Sequence, residues 1–424
     1  MAIDQWINTN LAPFSDALGG VVFYSLPITG TASVPVILLW LVAISIFTTF
    51  YFGFVNIRHF GRGVGLMLGR VTHKGDDKAE GQITPFQALA ATLSATVGLG
   101  NIAGVAIAIS IGGPGAIVWM ILMGFFGMST KFLEASLGVT YRKKCENGIF
   151  SGGPMYYLRD GLAELGLPRL GKIFAAIFAV CCIGGALGAG GMFQVNQVHQ
   201  QLVNVTGGSG ASFWADKGWL FGLGMAVLVG IVIIGGIKSI ANVASKVVPM
   251  MAILYLIAGF VVIGMNISSV PEAFYGIFTS AFSTEAGLGG LIGAIIQGVR
   301  RAAFSNEAGI GSAAITHAVA KTQYPVAQGM VAMLGAFIDT VIICLMTALV
   351  IILSGVALDP NGTMEGISLT SRAFETAMPW FPPVLAFIVF LFAYSTMLTW
   401  SYYGLKSATY LFGEKKSVDM IYKL

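Results

Sequence analysis

Charge is scarce in this sequence: only 10% of its 424 residues are Asp, Glu, Lys or Arg, while 56% are apolar and the mean hydropathy is +0.82. A soluble globule of this length needs more charge to keep its surface wetted, so lipid is the expected solvent and the bilayer the expected partner. Cysteine is sparse as well. Cys145, Cys181, Cys182 and Cys344 have no metal-ligand spacing and read as packing residues. His59, His73, His199 and His317 are scattered, and neither H-E-x-x-H nor G-x-S-x-G occurs, which counts against an intramembrane hydrolase and against an enzyme. Residues 1–30 hold no Lys or Arg, which excludes the basic start of a secretory signal peptide. No nucleic-acid partner is expected.

Apolar windows of about 20 residues, the length that spans a bilayer as a helix, occur nine times: 31–54, 84–112, 114–138, 173–204, 218–236, 247–266, 282–303, 326–355 and 381–412. The 56 glycines suit close-packed membrane helices, so the expected fold is all-α, a polytopic helix bundle. Basic residues alternate in density between the connections. Arg58, Arg62 and Arg70, then Arg142, Lys143 and Lys144, then Lys238 and Lys246, then Arg300, Arg301 and Lys321, then Lys406, Lys415 and Lys416 fall on one side, against Lys217 and Arg372 on the other. The positive-inside rule places the denser side in the cytoplasm, with the N-terminus outside and the C-terminus inside an inner membrane of a bacterial or archaeal cell.

The chain divides into an interfacial segment (1–30, with Trp6, Leu11, Phe14 and Leu18), an extra span with its loop (31–83), a five-helix repeat (84–266), a second repeat (267–412) and a cytoplasmic tail (413–424). Two apolar segments are interrupted by glycine, Ala95-Thr-Val-Gly-Leu-Gly-Asn-Ile-Ala-Gly104 and Glu285-Ala-Gly-Leu-Gly-Gly-Leu-Ile-Gly293. They open corresponding halves, and an odd number of spans per half inverts one relative to the other. Interrupted helices at matching positions point to a midplane binding site; the alternative is that these glycines only serve helix packing.

Several side chains could complete such a site. Thr96 and Asn101 offer oxygens, with free carbonyls near Ser94 and Val97, and Gly98 and Gly100 leave N–H groups approachable to an anion. Ser395 and Thr396 lie side by side, with Trp400 one turn beyond; alternatively the hydroxyls bond their own helix and Trp400 anchors the interface. Asp339 is an acid inside a span with no base nearby, functional by default or a structural hydrogen bond. Lys131 and Glu134, at i and i+3, are expected to neutralise one another. Gln194 faces either the pathway or the headgroups. Glu307 follows Arg300 and Arg301 and either latches an inner gate with them or sits in a solvated loop.

Six motifs in order, Thr84-Pro-Phe-Gln-Ala-Leu, Ala95-Thr-Val-Gly-Leu-Gly-Asn-Ile-Ala-Gly-Val105, Gly112-Gly-Pro-Gly-Ala116, Gly152-Gly-Pro-Met-Tyr156, Phe304-Ser-Asn-Glu-Ala-Gly-Ile-Gly-Ser312 and Trp400-Ser-Tyr-Tyr-Gly404, resemble the alanine or glycine:cation symporter family over residues 84 to about 412. The resemblance implies a LeuT-type inverted repeat and sodium-coupled symport of a small neutral amino acid, alanine or glycine. It implies sodium ligands among Ser94, Thr96, Val97, Asn101, Ser395 and Thr396. It implies a substrate pocket of Thr96, Gly98, Asn101, Thr396 and Trp400, closed by Gly290, Leu291 and Ile292. Relatives continue for two more spans after the Trp400 motif, so the second repeat is expected to lack its last two core spans. The competing readings are a membrane-embedded amino-acid sensor, a non-transporting truncated homologue, and proton coupling through Asp339.

Overall fold

The computed structural model describes residues 2–29, 32–71, 79–145, 148–283, 287–356 and 366–423. Helix α1 (Ala2–Val22) leads into a hairpin of β1 (Ser25–Thr29) and β2 (Ala32–Pro35). The side chains of Trp6, Leu11 and Phe14 lie outside the described residues, and Leu18 is exposed. Helix α2 (Val36–Tyr51) fills the first apolar window, and α3 (Val55–Arg58) and α4 (Phe60–Met67) follow it.

The second window begins where a local signal dictates. The Thr84 hydroxyl accepts the Gln87 N–H at 3.2 Å, the Gln87 side chain accepts the Thr84 N–H at 3.0 Å, and Pro85 occupies the first helical position. This reciprocal cap satisfies two of the N–H groups that every helix start leaves open. Helix α5 (Pro85–Thr96) then stops, the chain unwinds through 97–102, and α6 (Ala103–Gly112) resumes. After α7 (Ala116–Thr140) come a short hairpin, β3 (Lys143–Lys144) with β4 (Phe150–Ser151), and α8 (Pro154–Glu164). Helices α9 (Pro168–Leu187) and α10 (Phe193–Val205) form one 38-residue rod, widened into a π-helical turn at Gly188–Met192.

The rest of the chain continues through α11 (Gly208–Ala211), α12 (Gly218–Ile233), α13 (Gly236–Met265), α14 (Val270–Phe282) and α15 (Gly287–Asn306). Residues 307–312 are unwound before α16 (Ala313–His317). Helices α17 (Pro325–Ala336) and α18 (Leu345–Leu353) flank a longer π-helical stretch, Phe337–Cys344, and α19 (Ile367–Ala377), α20 (Pro382–Phe412) and α21 (Lys416–Lys423) complete the chain. Each of the nine apolar windows contains at least one helix. Large apolar side chains face outward, as on lipid-facing helices: Trp40, Ile231, Ile253 and Phe260 are all exposed.

Two expectations are corrected by this architecture. Glu285 and Ala286 lie outside the described residues, but from Gly287 the helix runs to Asn306, so 287–293 is no interruption. That stretch has no polar side chain to replace lost backbone hydrogen bonds, and glycine in a helix costs only about 1 kcal/mol. The interruption in this segment lies instead at 307–312, where Glu307, Gly309 and Gly311 take positive φ of 56°, 90° and 89°. Arg300 and Arg301 therefore precede the break rather than follow the span. The Arg300 guanidinium lies 4.9 Å over the Phe23 ring beside the N-terminal hairpin.

At the opposite end Arg142 fastens three connections together. Its guanidinium donates to the carbonyls of Glu80, Ala318, Ala320 and Thr322 at 2.8–3.1 Å. Lys144 pairs with Glu80 at 2.7 Å, and Lys406 donates to Ser151 at 2.7 Å.

Candidate functional site

Unwinding at 97–102 releases backbone groups in the middle of the bundle. The Asn101 N–H turns to the Gly98 carbonyl at 3.2 Å, and the Gly98 N–H is taken by the Asn101 side-chain oxygen at 2.9 Å, so the carbonyls of Ser94 and Val97 lose their helical partners. Among the described residues no acceptor meets the N–H groups of Leu99 and Gly100. Residues 97–103 are buried, and buried backbone left bare in this way calls for a partner that these segments do not supply.

The Asn101 amide nitrogen continues the network. It donates to Asp339 Oδ1 at 2.7 Å and to Ser305 Oγ at 3.0 Å. Ser305 in turn donates to Asp339 Oδ2 at 2.7 Å, and Thr340 donates to the same oxygen at 2.9 Å. Asp339 sits in the π-helical turn of the α17–α18 rod and is fully buried. Each of its side-chain oxygens is met by a polar side chain. Cys344 lies 3.3 Å from Asn101 and Ser305, so it belongs to this cluster rather than to packing alone. Asn101, Ser305 and Asp339 come from three separate helical segments, and together they form an oxygen-rich centre suited to a hard cation.

A second junction lies between α5 and α20. Ser94 donates to the Ser395 carbonyl, and Ser395 Oγ lies 3.5 Å from the Ser94 carbonyl. Ser395 and Thr396 also bond the Phe392 carbonyl of their own helix at 3.0 and 2.9 Å, so the bland reading of these hydroxyls holds alongside the inter-helix contact.

Between the two breaks lies a cavity of about 100 Å³, lined by Thr96 at the end of α5, Gly98 and Gly100 of the first break, Phe304 at the end of α15, Glu307 and Ile310 of the second break, Ala189 and Gln194, and Thr396 and Trp400. A Cβ on Gly98 would stand 2.7 Å from Thr396 Oγ1, so only glycine leaves this space open. Trp400 is seated against Gly190, where an added Cβ would meet its own Cβ at 2.4 Å. Gln194 follows the π-helical turn, donates to the Ala189 carbonyl at 3.1 Å, and among the described residues its Oε1 finds no partner, nor does Thr96 Oγ1. Gln194 faces the cavity, not the headgroups.

The residues expected to close the pocket are not there. Gly290, Leu291 and Ile292 lie between three and four turns of α15 before Phe304, and Gly290 is about 21 Å away along the axis. Glu307 makes no latch with Arg300 or Arg301. It is buried within the second break, accepts a hydrogen bond from Ser312, and lines the cavity. Nor do Lys131 and Glu134 pair directly. Lys131 Nζ has no hydrogen-bond partner among the described residues, and Glu134 turns its Oε1 to the N–H groups of Gly309 and Gly311 at 2.7 and 3.0 Å. Ser305, Phe304 and Glu134 were missed as site residues. The first two belong to the Phe304–Ser312 motif, in which the sequence singles out Glu307 alone.

Known proteins resemble this chain. The sodium:alanine symporter family matches residues 25–424. This chain belongs to that family. The sodium/alanine symporter AgcS of Methanococcus maripaludis is 44% identical over 383 residues, 90% of this chain and 82% of that protein. The probable sodium/glutamine symporter GlnT of Bacillus subtilis is 34% identical over 387 residues, 91% of this chain and 76% of that protein. A crystal structure of MhsT in complex with L-phenylalanine superposes with a TM-score of 0.57 over 81% of this chain and 78% of that one, at 14% identity, which establishes the LeuT-type fold. The protein is thus a multi-pass membrane member of a transporter family whose activity is cation-coupled amino-acid symport.

Proposed function

We propose that this symporter carries a small neutral amino acid, alanine or glycine, into the cell together with sodium. The observation that carries the reading is the small cavity between two helix breaks, walled by Thr96 Oγ1 and Gln194 Oε1, neither of which has a partner among the described residues. In this reading the substrate carboxylate meets the bare N–H groups of Leu99 and Gly100, the cavity side of a helix start. Gln194 and the opened carbonyls of the second break receive the ammonium group. Trp400 and Phe304 leave room for only a short side chain.

Sodium takes two places in this account. One is the Asn101, Ser305 and Asp339 centre, with the backbone around Thr96. The other is the Ser94, Val97, Ser395 and Thr396 junction. The inward sodium gradient and the negative-inside potential drive uptake, and the bundle rocks about the filled site. Asp339 sits against Asn101 and Ser305 in this centre, and this account makes it a cation ligand. The Arg142 end, denser in basic residues, faces the cytoplasm, and Arg300 faces outward.

Purified protein in liposomes decides the matter. With sodium outside, labelled alanine accumulates in the lumen, and replacing sodium by choline abolishes the accumulation. Saturable binding without accumulation would instead identify a sensor.

A further inference from the structure

Glu134 lies outside the cavity, yet it holds the segment that forms one cavity wall. Helix α7 meets the second break along one face. At Gly127 an added Cβ would stand 2.9 Å from the Ala308 side chain, and at Gly138 one would stand 2.7 Å from the Ala314 carbonyl. Between these two close approaches Glu134 Oε1 accepts the N–H groups of Gly309 and Gly311. Those two N–H groups point away from any helical carbonyl because both glycines are left-handed. The Asn306 side chain takes the neighbouring Ala308 N–H at 2.9 Å. Glu307 and Ile310, which line the cavity, belong to this same stretch, and Phe304 lies on the last turn of α15 just before it. One turn back on α7, the Lys131 ammonium is buried at 1% exposure with no hydrogen bond, while Glu134 Oε2 is also unpartnered. The two groups lie at i and i+3 on one buried face of α7.

We propose that Glu134 is a positioning residue for substrate: its carboxylate fixes the second helix break from α7 and so sets the wall formed by Phe304, Glu307 and Ile310, with Lys131 as its counter-charge. This deepens the proposed function and rests on alanine binding in that cavity. The test is L-alanine binding to the purified full chain at saturating sodium, with the melting temperature of the substrate-free protein read alongside. Removing two hydrogen bonds to a charged acceptor predicts that Glu134→Ala weakens alanine on the order of tenfold or more. Glu134→Gln, which keeps one acceptor oxygen, falls between, and Lys131→Met with Glu134→Gln recovers part of the loss because no unpaired charge remains. Should Glu134→Ala not fold, the Gln variant and the double variant carry the same readout. Variants that melt earlier but bind alanine as the wild type does would reduce Glu134 to a structural role and overturn the inference. Absence of alanine binding by the wild type would overturn the functional reading and this inference together.

Discussion

Asp339 is the residue whose chemistry is most constrained by its neighbours. A carboxylate in the middle of a bundle is expensive unless each oxygen is met, and here Asn101, Ser305 and Thr340 meet both. Asp339→Asn keeps the shape but removes the charge and turns one acceptor into a donor facing donors. Sodium affinity, measured by sodium titration of alanine binding, should then fall on the order of tenfold or more. An unchanged sodium titration would take Asp339 out of the cation site. Much of this site was legible residue by residue, for reasons that are local. Asp339 announced itself as an unpaired acid in an apolar run, and Asn101 as an amide between glycines. Glu134 did not, because its neighbour Lys131 supplied an easy account at i and i+3, and its true partners are backbone N–H groups 175 and 177 residues away in sequence.

Helices end where the backbone can be satisfied by something else, and this explains both the hit and the miss among the interrupted segments. At 97–102 the sequence contains its own substitute acceptor, Asn101, which takes the Gly98 N–H, and the break was visible. At 287–293 glycine and leucine have no such side chain, so the helix continues. At 307–312 the acceptors are Asn306, close in sequence, and Glu134, far from it, and glycine counting alone chose the wrong place. The nine helical windows were legible because apolar length is a one-dimensional property, whereas the π-helical turns at Gly188–Met192 and Phe337–Cys344 were not.

The element that closes the chain offers a pH test. Helix α21 folds back so that the Tyr422 hydroxyl lies against Gly404, where no Cβ fits, and Glu414 anchors the turn by accepting from Ser151 at 2.6 Å beside Lys406 at 3.5 Å. Burial pushes the Glu414 carboxyl up, but hydrogen bonds from Ser151 and Cys145 and the Lys406 charge outweigh it and hold it below its ordinary value. A depressed folded value means that the anchor is present above the unfolded glutamate range and is lost as pH falls through the folded value, at the acid side of about 4.3. A spin label at Ser417 should gain mobility over that acid window, and Glu414→Gln should be mobile at every pH. Equal, pH-independent mobility in both would remove Glu414 from the anchor.

At the scale of the whole molecule, the two proposed ion centres and the cavity share one short piece of chain. Asn101 belongs to the first centre, Ser94 and Val97 to the second, and Thr96, Gly98 and Gly100 to the cavity wall. A cation that orders 97–102 therefore does so for the substrate as well, and binding energy spent on ordering this segment once is not required a second time. Thermodynamic linkage makes the consequence reciprocal: the factor by which saturating sodium tightens alanine must equal the factor by which saturating alanine tightens sodium. Couplings of this kind span about 5- to 150-fold, well within reach of calorimetry on the purified full chain. If sodium left alanine affinity unchanged, the shared segment would not couple the sites, and co-transport would need a link elsewhere in the bundle.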